Sequence, residues 1–108
     1  MTNKMGATIS ASDCLLLLRG WGESKRRVRA VLTHPAASFA VFGTIYSANE
    51  TGFAVSVDEG SMVAASLIGC KCGFLDLPKG ESVLGEEVES GIVAVREGFE
   101  IAVMLLRD

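Results

Sequence analysis

Four cationic side chains, Lys25, Arg26, Arg27 and Arg29, fall within five consecutive positions and are called the basic cluster below. A guanidinium presents its N–H donors in a rigid fork that matches the oxygens of a phosphate. The basic cluster therefore predicts a site for a phosphate-containing ligand, either RNA or a nucleotide such as a cyclic dinucleotide. In the alternative interpretation, these arginines face solvent or bridge subunits, opposite the acidic C-terminal part of the chain.

Cys70 and Cys72 form the second group with chemical potential. On a strand, both thiols would project from one face with Cα atoms about 6.6 Å apart, at the upper limit for a disulfide. A structural zinc needs four nitrogen or sulfur ligands, and Cys14 and His34 stand at no recognised spacing from this pair. We expect two small apolar residues in a reduced compartment, and neither metal nor cofactor.

His34 is the only histidine. It precedes Pro35, which favours a turn and therefore a surface position. General-base catalysis would need a nucleophile and an orienting acid beside it, and no pattern in the sequence indicates that set. Dinucleotide, phosphate-loop and nucleophile-elbow motifs do not occur. We therefore predict no catalytic residues and a protein that is not an enzyme.

Charge and hydropathy narrow the class of protein. Residues 1–36 carry six cations and two acids, whereas residues 37–108 carry four cations and eleven acids. The isoelectric point near 5.1 argues against a dedicated nucleic-acid binder, although the basic cluster remains. Apolar residues make up 49% of the 108 positions, but no run approaches the ~20 residues that span a bilayer. We expect one cytoplasmic domain that forms a homo-oligomer or binds another protein.

The elements that position these residues start with a short helix. Residues 1–9 show no periodicity and are expected to be a mobile lead-in to the single domain. Ser10, Ser12 and Asp13 offer oxygens that cap helices. Residues 14–21 place apolar side chains at helical spacing, with Gly20 and Gly22 expected to end the helix after about two turns. The four consecutive leucines also allow a buried strand.

Strands follow. Residues 25–32 predict a first strand with one charged face, and residues 34–38 a turn. Residues 39–67 contain three short apolar runs separated by Gly-containing breaks, the pattern of an antiparallel meander. Gly43 in mid-strand marks a bulge or a close backbone approach. Residues 68–77 continue the sheet.

The C-terminal part predicts a hairpin. A two-residue Glu97-Gly98 turn would pair Arg96 with Phe99 and align the apolar residues behind them. Before it, residues 78–80 form a break, and residues 81–90 allow a single helical turn ended by Gly91.

Together these elements predict a mainly antiparallel all-β domain. We expect five or six strands curled into a small barrel or a strongly bent sheet, with the helix covering an open side. The expected core consists of Leu17, Leu18, Trp21, Val28, Val41, Ile45, Phe53, Val55, Val63, Leu67, Ile92, Ile101 and Val103.

Two families resemble parts of this pattern. The order of helix, bent strands and closing hairpin resembles the Sm-like small barrel, with RRVRAVL similar to its first strand, FAVFGTIY to its second and VAVREGFEI to its second motif. Glu97 separates the Arg and Gly of that motif in this chain. Phe53 stands at the position where the family has its base-contacting Asn. The resemblance implies a ring-forming RNA-binding barrel.

The second resemblance is to PilZ domains, which bind cyclic di-GMP. KRRVR followed by GTIYSANETGF is similar to the Arg-rich lead and the D/N-x-S-x-x-G turn of that family, with Gly52 at the final Gly. Ser47 stands where the family has Asp or Asn, and Asn49 where it has Ser. The resemblance implies a cyclic-dinucleotide ligand held by the basic cluster.

Overall fold

A computed structural model describes residues 5–76, 82–83 and 85–107. Its elements follow one another as β1 (Met5–Ile9), α1 (Ala11–Glu23), β2 (Arg27–His34), β3 (Ala37–Ala48), β4 (Gly52–Val57), β5 (Met62–Ser66), β6 (Lys71–Leu75), β7 (Ser82–Val83), β8 (Glu86–Arg96) and β9 (Phe99–Leu106). The prediction of a mainly antiparallel all-β domain with one helix is confirmed. The described residues contain more strands than the five or six expected.

One antiparallel sheet dominates the fold, with the strand order β1-β6-β8-β9-β2-β3-β4-β5 and with β7 paired to β8 outside that order. Helix α1 contacts β3, β4 and β6, which lie toward opposite ends of this order. The sheet must therefore curl around the helix, in keeping with a molecule of only 31 × 28 × 28 Å. Within the described residues, β1 and β5 remain its two edges, so of the two predicted forms the bent sheet is found and the small barrel is not.

Helix α1 begins as its capping residues predict and ends later than its glycines predict. Ser10 is the N-cap, and its Oγ accepts a hydrogen bond from the Asp13 N–H at 3.0 Å. The helix continues through Gly20 and Gly22 to Glu23. A Cβ atom at Gly22 would lie 2.7 Å from the Ile45 carbonyl oxygen, so this glycine allows α1 to approach β3 rather than ending the helix.

The predicted meander and the predicted C-terminal hairpin turn are confirmed. β3, β4 and β5 pair in succession, with Asp58, Glu59 and Gly60 in the second connection. The C-terminal hairpin pairs Arg96 with Phe99, as a Glu97-Gly98 turn predicts. Its apolar pairs, Ala94 with Ile101 and Ile92 with Val103, also have the predicted register.

Two segments differ from their predictions. Residues 5–9 form edge strand β1, paired with β6, instead of a mobile lead-in. Residues 82–83 and 86–90 are extended instead of helical, and Gly91 lies inside β8. Val88 is buried between exposed Glu87 and Glu89, which is the two-residue period of a strand. Residues 1–4 and the break at 78–80 lie outside the described residues.

The core occupies both faces of the sheet. Under α1, the predicted core residues Leu18, Val28, Ile45, Phe53, Val55, Leu67, Ile92, Ile101 and Val103 are buried. Leu17, Trp21 and Val41 are half-buried, and Val63 is half-buried because β5 is an edge. A second buried cluster, formed by Leu75, Val88, Val93, Met104 and Leu106, lies apart from this core and was not predicted.

Candidate interaction surfaces

Two members of the basic cluster make ion pairs within the chain. Arg26 Nη2 donates to Glu89 Oε1 at 3.1 Å and to the Leu106 carbonyl oxygen at 3.0 Å. Arg27 Nη2 lies 2.9 Å from Asp58 Oδ2 and 3.6 Å from Glu86 Oε2. These carboxylates all belong to the acidic C-terminal part of the chain, so the arginines pair with acids of their own chain, whereas the bridging between subunits stays a prediction.

The other two members of the cluster, Arg29 and Lys25, are placed differently. Arg29 lies on the ring of Phe42, which it shares with Arg27, and their guanidinium carbons are 5.2 and 5.0 Å from the ring centroid. Such cation–π contacts hold the guanidinium groups without consuming all of their N–H donors. Lys25 is exposed and has a positive φ of 54° in the connection that follows α1. The cluster therefore spreads over β2 and the turn before it.

The fold brings all three cysteines together, which their spacing did not indicate. Burial, together with the neighbouring Cys72 and Cys70 thiols, raises the pKa of the Cys14 thiol to about 12. Burial also raises the pKa values of Cys70 and Cys72. All three thiols therefore stay protonated near neutral pH, which makes them poor nucleophiles.

No group of three or more His, Cys, Asp or Glu residues in the described part of the chain is arranged to hold a metal ion. His34 lies at the β2–β3 turn, where its Nδ1 accepts a hydrogen bond from the Ala36 N–H at 3.2 Å. It is exposed, as predicted, and is not brought together with the thiols to complete a ligand set.

A groove of about 730 Å³ lies between α1 and the end of β3. A β-bulge places Tyr46 here: Ile45 pairs with Val55 and Ser47 with Ala54, which leaves Tyr46 as the extra residue. Bulges commonly redirect a side chain in this way. Tyr46 is 69% exposed and Leu16 on the facing helix is 63% exposed. Arg19 and Glu23 form an exposed i,i+4 pair along the rim.

The polar side chains of the turn before β4 form hydrogen bonds within the turn itself. Asn49 Oδ1 accepts hydrogen bonds from the Thr51 N–H at 2.9 Å, the Gly52 N–H at 3.1 Å and the Thr51 hydroxyl at 3.1 Å. This is the side-chain-capped turn that Asn favours. Asn49 and Gly52 therefore shape the connection between β3 and β4.

Strand β5 is an edge without charged residues. Its sequence is MVAAS, and it pairs with β4 only among the described strands. Met62 at its start is 53% exposed, and Ile68, two residues beyond its end, is 63% exposed. Edge strands are usually blunted by a charge, a proline or a bulge, and β5 contains no charge or proline and pairs with β4 in continuous register.

Sequence reasoning missed both the groove and the edge. The Tyr46 bulge has no readable sequence signal, because β3 continues for only two residues after Tyr46, too few to show the shift in alternation that an extra residue causes. The edge had one signal: residues 62–66 contain no aromatic residue and a single β-branched residue, Val63. That composition is typical of a strand covered on one side only.

The fold and these surfaces define a small, mainly antiparallel β domain with one helix inside a strongly bent sheet. No helix among the described residues is long and apolar enough to cross a membrane. Comparisons with protein-family models, with curated proteins and with solved structures find no match. The resemblances to Sm-like and PilZ proteins therefore stay predictions.

Proposed function

We propose that this chain is a non-catalytic, cytoplasmic β domain that acts through protein contacts, first of all with copies of itself. One observation carries the proposal: six large apolar side chains of the described residues are exposed, namely Leu16, Phe39, Tyr46, Met62, Ile68 and Phe74. Leu16 and Tyr46 line the same groove, and Met62 and Ile68 flank β5 at its two ends. Contiguous apolar exposure of the kind seen at the groove is typical of protein interfaces.

Composition and charge support the same proposal. A mean hydropathy of +0.38 is high for a small domain, because small domains have a large surface relative to their volume. Arg26 and Arg27 are engaged by carboxylates of their own chain, which reduces the positive charge offered to an anionic ligand. A protein partner of moderate polarity fits this surface better than a polyphosphate does.

Measurement of mass in solution tests self-association. We expect light scattering coupled to size-exclusion chromatography to give at least twice the chain mass of 11.4 kDa at micromolar concentration, because covering the exposed apolar side chains releases water from them. A monomer throughout the micromolar range would contradict the proposal.

The second candidate function is binding of a phosphate ligand by the basic cluster. The observation that favours it is the pair of guanidinium groups on one ring, since Arg27 and Arg29 share Phe42. Two guanidinium groups on one ring repel each other, and an anion bound between or beside them reduces this repulsion. In that function the chain would take RNA or a cyclic dinucleotide, as the two family resemblances imply.

Titration with cyclic di-GMP and with a short single-stranded RNA separates the two functions. We expect no saturable binding at moderate salt, because Asp58, Glu86 and Glu89 compete for the guanidinium groups. Any binding at low salt should weaken steeply as salt rises. Saturable binding at moderate salt that Arg29→Ala abolishes and Arg107→Ala leaves intact would favour the phosphate function instead.

A further inference from the structure

Along β5, the backbone N–H and C=O groups point alternately toward β4 and away from it. The hydrogen bonds just beyond the two ends of β5 show which residues point which way. Leu67 N–H donates to the Thr51 carbonyl oxygen at 2.8 Å, and Val57 N–H donates to the Ser61 carbonyl oxygen at 2.9 Å. In an antiparallel pair, residues that exchange hydrogen bonds alternate with residues that do not. The register between these two positions therefore makes Ala65 and Val63 the residues whose N–H and C=O groups point to β4.

It follows that Met62, Ala64 and Ser66 direct their N–H and C=O groups away from β4, toward the free edge of the sheet. Their side chains are exposed, whereas those of Val63 and Ala65 are half-buried on the face toward the core. The edge thus offers three outward residues with small or flexible side chains and no charge. This is the arrangement needed to add another antiparallel strand.

A second copy of β5 fits this edge better than a charged partner strand does. Antiparallel pairing about a two-fold axis at Ala64 sets Ala64 opposite Ala64 of the partner subunit. Met62 then lies opposite Ser66 of the partner subunit, and the reverse holds by symmetry. All three outward residues of each chain would exchange hydrogen bonds, and no like charges would face each other.

The exposed apolar residues at the two ends of β5 give a further reason for self-pairing. In the two-fold arrangement, Met62 lies opposite Ser66 of the partner subunit and therefore beside the turn that carries Ile68 of the partner subunit. Met62 and Ile68 are 53% and 63% exposed in the single chain. Half-buried Val63 and Ala65 would gain cover on the opposite face. Antiparallel pairing sets the start of each β5 beside the end of the other β5, so the contacts at both ends form together.

From this geometry we propose that the chain forms a two-fold homodimer in which β5 pairs with β5 of a second copy, making one continuous sheet across both subunits. The inference rests on the proposed self-association and specifies its surface. It predicts an isologous and therefore closed assembly, because each free β5 edge is consumed by its equivalent.

Charge substitution at the axis tests this inference. Ala64→Lys and Ala64→Glu each place like charges opposite each other, and each should weaken dimerisation on the order of 100-fold. Mixing the two variants should restore a dimer, because opposite charges then meet at the axis. Ala40→Lys, on an exposed alanine of β3, is the matched control and should leave the dimer intact.

Ala64→Pro tests the hydrogen bonds without adding charge. Because the Ala64 N–H points away from β4, proline removes no hydrogen bond within the chain. The variant should fold, as judged by an unchanged circular dichroism spectrum, and should be monomeric. In the wild type, amide exchange at Met62, Ala64 and Ser66 should slow as protein concentration rises, while Val63 and Ala65 stay protected throughout.

The outcomes separate this inference from the proposed function. A wild-type monomer would overturn both. An oligomer that persists in folded Ala64→Lys and Ala64→Pro variants would overturn β5 pairing and leave self-association standing on another surface. Disruption by Ala64→Lys and by Ala64→Glu without rescue on mixing would exclude two-fold β5 pairing and point to pairing of β5 with the other sheet edge, β1.

Discussion

Replacing Gly43 with alanine should lower the free energy of unfolding by about 3 kcal/mol, at the upper end of the usual cost of overpacking. Gly43 lies in β3 opposite Val57 of β4. An added Cβ atom would overlap the Ser56 carbonyl oxygen and lie 2.9 Å from its carbon and 3.0 Å from the Val57 Cα. Since these are backbone atoms, β3 and β4 would have to separate. Urea or thermal unfolding monitored by circular dichroism measures the loss.

Gly20→Ala is the matched control. Gly20 lies inside α1, and a Cβ atom there would meet nothing within 4 Å. This substitution should stabilise the protein by about 0.5–1 kcal/mol, because alanine loses less backbone entropy in a helix. Equal destabilisation by both substitutions would show that steric contact between β3 and β4 does not explain the requirement for glycine at position 43.

Replacing Phe53 with alanine should destabilise the protein by roughly 3–5 kcal/mol, the usual cost of removing a fully buried aromatic ring. Phe53 is 5% exposed and belongs to the core that packs beneath α1. Its loss leaves a cavity that the curled sheet cannot close without moving the helix. Denaturant unfolding with an unchanged m-value would assign the effect to the native state.

Phe74→Ala provides the comparison on an exposed ring. Phe74 lies on β6 and is 41% exposed, so its truncation should cost less than about 1 kcal/mol. If Phe53→Ala cost less than about half a kcal/mol, the cavity argument would fail and Phe53 would not be a core residue.

Local features of the fold were readable from the chain. Ser10 predicts the helix start, and Glu97-Gly98 predicts the register of the last hairpin, because caps and tight turns depend on a few adjacent residues. Alternation on one face predicts the buried set around Phe53. Gly43 was singled out as a bulge or a close backbone approach, and the structure shows the close approach.

Features of the fold that depend on residues far apart in the chain could not be predicted from the sequence. Residues 5–9 form a strand only because β6 offers them an edge, and the spacing between Cys14 and Cys72 gives no hint that they meet. The second buried cluster was missed because apolar residues such as Val93 and Met104 extend β8 and β9 as continuous apolar runs. Such runs indicate strands buried on both faces, a pattern that does not reveal what covers the second face.

The candidate surfaces divide in the same way. The sequence alone determined that cations gather at residues 25–29 and acids in the C-terminal part, which predicted arginines that face solvent or bridge subunits but not pairing inside one chain. Only the tertiary structure decided that Arg27 meets Asp58, that Tyr46 points into a groove, and that β5 rather than another strand is an edge. The reason is physical: strand neighbours are chosen by the whole sheet, whereas turns and caps are chosen by the few residues that form them.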